Sequence, residues 1–319
     1  MHGLARRAEE KPESTAMSLL TEEQVSQYLT RGYFVLPAFF AEADLAALRP
    51  AAPAGAAATA ADAADAAYSK CVVFGCARTG EDPTKINKLE GLGRLAAAPH
   101  SAQLAALFKS VGQSPRLAAI ARQLLGAGAA LMKDKYIFKG KGGGDGFPPH
   151  QDMNFIYSRL ATDAVNFGVA FDAADASNGA LEVCVERYGE LAGRLARAPL
   201  EAATPYASVE HLRFEHVCTA PGDVVVFSAW LLHKSTANAD LSRDRNVYYV
   251  TYGLPGYRAG VLGAQGELYA DYYELHEAWV ASNFPVGDEA GALLGPGKPR
   301  PTLVPPQHVG VGWPGGANV

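Results

Sequence analysis

From Ala130 to Tyr252 the chain breaks into short runs of β-branched and aromatic residues separated by clusters of Gly, Pro, Asn and Asp, and this texture narrows the choice of fold more than any other feature. The runs are Tyr136–Phe138, Val165–Phe171, Ala180–Val185, Val217–Cys218, Val224–Trp230 and Val247–Tyr252. Such residues pack best on a pleated surface, and turn residues at short intervals send the chain back on itself. A sandwich or jelly-roll barrel is the expected result. Upstream, Leu20–Thr30 reads as a helix opened by Thr21 and acidic first-turn residues, Gly32–Pro37 as a β-type run, and Phe39–Leu48 as a helix that stops before Pro50. Leu104, Leu107, Phe108, Val111, Leu117, Ile120 and Leu124 recur at helical spacing with a break at Gly112–Pro115, which predicts two packed helices. The expected class is mainly β with flanking α-helices. Residues 1–19 form an N-terminal segment, 20–284 one domain, and 285–319 a Pro- and Gly-rich tail. Ala51–Ala67 is low in complexity, and no internal repeat is visible.

Composition limits the partners. With 49% hydrophobic and 19% charged residues the chain falls in the ordinary globular range, and a net charge of -5 offers no basic stripe for nucleic acid or an anionic membrane. No apolar run reaches the roughly 18 residues of a membrane span. The first residues lack an apolar signal core, so a cytoplasmic location is expected, with an organelle address left open. Cys71, Cys76, Cys184 and Cys218 are too scattered for a disulfide framework and read as reduced thiols. A small-molecule substrate is expected, and no obligate protein partner is indicated.

The chemistry concentrates at two places. Pro148-Pro-His-Gln-Asp152 contains a His-x-Asp, and on an extended strand residues two apart share a face, so His150 and Asp152 can present an imidazole and a carboxylate to one ion. The apolar run Val224–Trp230 leads to His233, and a barrel brings such distant strand ends together. Two imidazoles and a carboxylate on one face of an octahedral metal leave three open positions, the arrangement of Fe(II) oxygenases. Arg245 heads a further β run in which Arg245, Val247, Tyr249 and Thr251 share a face. A guanidinium turned into a barrel requires an acidic ligand, and 2-oxoglutarate fits, chelating the metal at one end and meeting Arg245 at the other. Arg243 has the same parity and competes for that role.

These residues resemble the phytanoyl-CoA dioxygenase family. The likeness rests on His150-Gln-Asp152, His233-Lys-Ser-Thr-Ala-Asn238 and Arg245, with Gly32-Tyr-Phe-Val-Leu36, Ile86-Asn-Lys88, Tyr136-Ile-Phe-Lys139 and Asn178-Gly-Ala-Leu181 in support, and it covers roughly Glu22 to Tyr252. It is strongest toward the branch of phytanoyl-CoA dioxygenase domain-containing proteins. The resemblance implies a double-stranded β-helix (jelly-roll, cupin-like) barrel, Fe(II) on His150, Asp152 and His233, 2-oxoglutarate on Arg245, and O₂ as the oxidant. It also sets Lys88, Ser235 and Tyr136 near the cosubstrate. The sequence departs from the family pattern after Leu181, where Glu182-Val-Cys-Val-Glu-Arg-Tyr188 replaces the usual Pro-Gly-Ser-His turn, and in a His-to-Arg interval one residue longer than usual. Related halogenases carry a small residue where Asp152 stands, so an intact carboxylate argues for oxygen transfer, with hydroxylation the default outcome.

Met153, Asn154, Phe155, Tyr157 and Trp230 are candidate pocket residues, and Gly140–Gly146 lacks the Gly-Lys-Ser/Thr ending of a phosphate loop and reads as a lid. His211 and His216 stand on different faces of either a helix or a strand and read as surface residues. Lys133, Lys135, Lys139 and Lys141 supply either a basic entrance or a solvated face. A zinc hydrolase and a catalytically silent barrel are the rival classes.

Overall fold

The structure is a computed structural model that describes residues 19–50, 72–74, 86–95, 102–143, 146–154, 157–186, 188, 212–256 and 267–283. Helix α1 (Glu22–Arg31) starts in a capping box, with Thr21 and Gln24 each bonding the other's backbone N–H, and ends on Gly32 at φ 80°. Strand β1 (Tyr33–Leu36) and helix α2 (Glu42–Leu48) follow. Strands β2 (Val72–Phe74) and β3 (Ile86–Glu90) come next. Helix α3 (Ala102–Leu107) runs on as a π turn through Phe108–Gly112, and α4 (Pro115–Leu125) begins with proline at its first position. Then come β4 (Ala130–Lys139), β5 (Phe147–His150), the short helix α5 (Tyr157–Leu160), β6 (Ala161–Ala170), β7 (Leu181–Cys184), β8 (Phe214–Val217), β9 (Val224–Ser228), β10 (His233–Ser235), β11 (Arg245–Pro255) and the helix α6 (Leu268–Asn283).

Among the described residues the strands form two antiparallel sheets. The larger has the order β1-β9-β6-β11-β4-β3-β2 and the smaller β5-β10-β7-β8. Alternation along the larger sheet gives it two apolar faces. Phe167, Val169, Val224, Val226, Tyr248 and Val250 pack outward with the helical residues Leu107, Leu117 and Ile120, while Ile137, Val225, Phe227, Val247 and Tyr249 face Leu181, Val183 and Val217 of the smaller sheet. This is why β9 reads as an unbroken apolar run rather than an alternating one. Helix α6 closes a third cluster, in which Leu268, Tyr272 and Tyr273 meet Met132, Met153 and Tyr157.

The expected strands are all present. β4 is longer than its apolar run because its inward positions are lysines; β3, β5 and β10 carried no recognisable run of their own, and the three-residue run of β2, Val72-Val-Phe74, went unread. The Ala51–Ala67 stretch, Cys71, Cys76, His211, the N-terminal segment to residue 18 and the C-terminal tail lie outside the described residues. Cys184 and Cys218 are free thiols. No helix among the described residues is long and apolar enough to cross a membrane.

One buried acid ties the outer layer together. Asp134 on β4 accepts hydrogen bonds from Tyr248 (2.8 Å), Tyr269 (2.5 Å) and the Leu92 backbone N–H (3.1 Å). Burial raises its carboxyl to about 6, against the pull of those donors. A folded-state value above the unfolded one means that the native protein holds this proton more tightly between pH 3.8 and about 6, so Asp134 favours folding least once pH exceeds that window. The stability advantage of the wild type over Asp134→Asn is therefore expected to shrink by on the order of 2 kcal/mol between pH 4 and pH 7. Denaturant titrations of both proteins at the two pH values check this, and a pH-independent difference would contradict it.

Candidate functional site

The register of β10 brings the distant histidines together. His233 pairs with His150 of β5 on one side and with Val183 of β7 on the other. Side chains of a register pair share a face, and the two imidazole rings lie 4.2 Å apart between centroids. Asp152 follows differently from the expectation of one extended strand: β5 ends at His150, and Asp152 opens a 3-10 turn, Asp152–Asn154, held by the Met153 N–H bonding the Ala229 carbonyl at 3.2 Å. The turn delivers the carboxylate all the same. Asp152 Oδ1 is 3.7 Å from His150 Nε2 and Oδ2 is 3.9 Å from His233 Nε2. The three donor atoms all lie within 4.8 Å of one another, a set able to hold a metal ion.

Neighbouring groups prepare these donors. His233 Nδ1 is 2.9 Å from the Leu231 carbonyl, which can only accept, so the proton sits on Nδ1 and Nε2 keeps its lone pair for a metal. Asn166 donates to Asp152 Oδ2 at 2.9 Å, Thr251 donates to Asn166 at 2.7 Å, and the Tyr157 hydroxyl meets Thr251 at 3.3 Å. Burial pushes the Asp152 carboxyl up, but the charges of Lys135, His233, His150 and Lys133 together outweigh it and leave it lowered to about 2. Burial lowers the His233 imidazole below its ordinary value, against the pull of Asp152 and the Leu231 carbonyl. Near neutrality the set is a carboxylate with a neutral imidazole, the form that binds metal.

A chamber opens beside the donors, lined by Ile137, Phe147, Leu181 and Phe227 and by Arg245 and Tyr249. Arg245 is 3% exposed; its Nη2 donates to the Tyr249 hydroxyl at 3.3 Å and its Nε has no hydrogen-bond partner. Arg243, the competing arginine, is turned outward and clamped by Asp240 at 2.6 Å and Asp175 at 2.9 Å. Gly168 stands opposite Tyr249 in the register, and a Cβ there would come within 2.9 Å of the tyrosine ring, so the glycine makes room for it.

The remaining expectations divide. Ser235 lines the chamber and accepts a hydrogen bond from Lys139 at 2.8 Å. Tyr136, expected near the cosubstrate, is not there: β4 turns it to the opposite face, where it is fully buried against Phe138, Phe171 and Tyr248. The backbone of Lys88 pairs with Ile137 and Val73, and its side chain lies outside the described residues. Met153 and Tyr157 pack in the cluster beneath α6, with Trp230 against it, rather than lining the chamber; Phe155 and the Asn154 side chain lie outside the described residues. The described part of the glycine loop is tied to the 240–244 segment by Gly142 N–H to Asp240 O and Lys141 N–H to Asp244. His216 is exposed on β8. The lysines, read as either a basic entrance or a solvated face, divide: Lys133 and Lys139 are buried, and Lys135 is half-buried and lines the chamber. The alternation Lys-x-Lys-x-x-x-Lys at positions 133, 135 and 139 was the signal available for it.

Comparison with known proteins agrees with this geometry. The family model for Phytanoyl-CoA dioxygenase (PhyH) matches residues 28–245, more than half of the chain, from α1 to Arg245. The methylphosphonate hydroxylase of Gimesia maris is 26% identical over 260 residues, 80% of this chain and 85% of that protein. A 2-aminoethylphosphonate dioxygenase from the uncultured bacterium HF130_AEPn_1 is 28% identical over 152 residues, 48% of this chain and 53% of that one. The phytanoyl-CoA dioxygenase domain-containing protein 1 of Danio rerio is 25% identical over 174 residues, 52% and 59% of the two chains. Among solved structures, EctD from S. alaskensis with 2-oxoglutarate and 5-hydroxyectoine shares the fold at a TM-score of 0.53 and 21% identity, covering 76% of this chain and 78% of that one. With a donor set suited to iron and a buried guanidinium suited to a diacid, the chain belongs to the phytanoyl-CoA dioxygenase family and is a non-haem Fe(II)- and 2-oxoglutarate-dependent dioxygenase.

Proposed function

We propose that His150, Asp152 and His233 hold the ferrous ion, that Arg245 receives the distal carboxylate of 2-oxoglutarate, and that the chain hydroxylates a C–H bond of a small organic molecule. Residues 20–284 would form the catalytic domain. The observation that carries the reading is the buried cation. No carboxylate among the described residues pairs with Arg245, and a guanidinium withdrawn from water without an anion is costly. A diacid that chelates the metal at its other end supplies that anion bidentately. A zinc hydrolase activates water at its metal and does not need a diacid-binding cation for that chemistry.

Iron bound at the triad supplies activation of O₂ coupled to decarboxylation of 2-oxoglutarate to succinate and CO₂. The chain's own residues do the positioning. Leu231 keeps the His233 proton on Nδ1, and the chain Tyr157, Thr251, Asn166 fixes the Asp152 carboxylate. Ile137, Leu181 and Phe227 present apolar surface that keeps water from the reacting centre. The intact Asp152 supports oxygen transfer because it occupies the position a halide would need. The named activity of the Gimesia maris relative, a hydroxylase, supports the same outcome.

Three measurements test this. In calorimetric titration of the Mn(II)-loaded protein with 2-oxoglutarate, Arg245→Met is expected to weaken binding by about 30-fold or more, the ~2–5 kcal/mol of a buried charged pair, while Arg243→Met leaves it nearly unchanged; the reverse ranking would transfer the role to Arg243. Asn166→Ala should lower Mn(II) affinity about 10- to 100-fold through loss of its bond to Asp152, and an unchanged affinity would remove Asn166 from the metal's support. With an accepted substrate and ¹⁸O₂, mass spectrometry should find one labelled oxygen in the product per succinate released. A product that loses two hydrogens and gains no oxygen would overturn hydroxylation.

A further inference from the structure

Lys139 sits where three segments meet, at the end of the larger sheet that carries Arg245. It is the register partner of Arg245, so the two side chains share the inner face of that sheet. Lys139 is fully buried, and its ammonium crosses to the smaller sheet, donating to Ser235 Oγ at 2.8 Å, to the Gly179 carbonyl at 3.3 Å and to the Thr236 carbonyl. The backbone closes around it. Gly179 has φ 76°, and a Cβ there would come within 2.6 Å of the Thr236 carbonyl oxygen and 3.1 Å of Lys139 Nζ, so glycine is what lets the turn before β7 approach this closely. Asn238, also buried, donates to the carbonyls of Lys139 (2.9 Å) and Arg243 (2.8 Å), which fastens the end of β4 to the chain two residues before Arg245.

One of these hydrogen bonds has a direction with chemical meaning. An ammonium has protons to give and no lone pair to receive one, so Ser235 Oγ accepts from Lys139 and its own proton points elsewhere. Among the described residues no acceptor takes that proton. Ser235 is 8% exposed and lines the chamber together with Arg245, and a buried donor without an acceptor is destabilising. Arg245 Nε likewise has no hydrogen-bond partner among the described residues. A neutral and a cationic donor thus border the same chamber, each with a proton for an acceptor that the described side chains do not supply. A carboxylate, with two oxygens and several lone pairs, can serve both.

We propose that Lys139 is a positioning residue for the cosubstrate: by holding Ser235 Oγ as an acceptor it turns the hydroxyl proton into the chamber, where that proton meets the distal carboxylate of 2-oxoglutarate beside Arg245. This rests on the reading of Arg245 as the cosubstrate's residue. Lys139 touches neither metal nor cosubstrate in this account and acts through Ser235.

The test is a double-mutant cycle, read by calorimetric titration of the full-length, Mn(II)-saturated protein with 2-oxoglutarate. Ser235→Ala and Lys139→Met should each weaken binding about 10-fold, the loss of one hydrogen bond to a charged group. The double variant should bind within about threefold of the weaker single variant, since without the hydroxyl Lys139 has nothing to orient. Mn(II) affinity, titrated separately, should fall by less than about threefold in each, because no metal donor is altered. Losses that multiply to about 100-fold in the double variant show that the two residues act independently and overturn the inference. Unchanged 2-oxoglutarate affinity in either single variant overturns it too. So does a fall in Mn(II) affinity of Lys139→Met as large as its fall in 2-oxoglutarate affinity, which assigns Lys139 to holding β10 alone. If Lys139→Met does not fold, Lys139→Gln, which keeps N–H donors for the surrounding carbonyls but is one bond shorter, takes its place in the cycle. Arg245→Met separates this inference from the reading beneath it: a loss of 2-oxoglutarate affinity there with none in Ser235→Ala overturns this inference alone, and failure of the wild type to bind 2-oxoglutarate overturns both.

Discussion

The centre depends on the pairing of a three-residue strand. β10 lies between β5 and β7, and in this register His233 faces His150 on one side and Val183 on the other. Side chains alternate along a strand, so a slip of one residue would send His233 to the far side of the sheet and bring Lys234 toward the metal position. So short a strand contributes little pairing energy by itself. Its place is secured from outside: Leu231 and Leu232 before it are buried, Gln151 donates to the Trp230 carbonyl, and Lys139 grips Ser235 and Thr236 just beyond. The metal centre inherits its precision from these supports.

Strand β4 divides its chemistry by face. Outward it offers Asp134, Tyr136 and Phe138 to the helices and to α6; inward it offers Lys133, Lys135, Ile137 and Lys139. Each buried ammonium meets its own compensation. Lys133 has Glu90 at 3.5 Å and the rings of Tyr157 and Tyr272, and Lys139 has a serine hydroxyl and two carbonyls. Interior cations of this kind are retained where an anion is to be received or where a polar network fixes a geometry. Lys139 shows the second of these uses, its hydrogen bonds fixing Ser235 and Thr236.

Much of the site was legible because its chemistry needs residue types that are rare at buried positions. A histidine closing an apolar run, a His-x-Asp after a turn-rich stretch, and an arginine heading a β run each violate the expected burial pattern. The strand texture fixed the fold class for a similar reason: period-two apolar runs have few other uses. What escaped was decided by contacts far along the chain. β5, with two prolines, and β10, with a lysine at its centre, have no strand propensity and exist only through their neighbours. Helix α6 was not foreseen because its apolar residues are spread around it instead of forming one stripe, and its tyrosines are held by Asp134 on β4, which no local pattern announces. Tyr136 was misplaced by one step of strand parity. The lysines on β4 read equally as a basic entrance or a solvated face because charge is the usual mark of solvent, and the partners that bury Lys133 and Lys139 come from β3, β10 and α6.

The double-sided burial of β9 has a consequence for the life of the chain before it is folded. Val224-Val-Val-Phe227 is apolar on both faces and is covered along its edges by β6 and by the four-residue β1, which itself forms the border of the sheet. In the nascent polypeptide this segment is a β-prone, uncharged stretch that keeps one edge open until β1 docks, the kind of sequence that seeds intermolecular pairing. The capping box of α1 and the glycine turn that leads into β1 therefore guard against aggregation as well as contributing to the fold, and they belong in any expressed fragment intended to stay in solution.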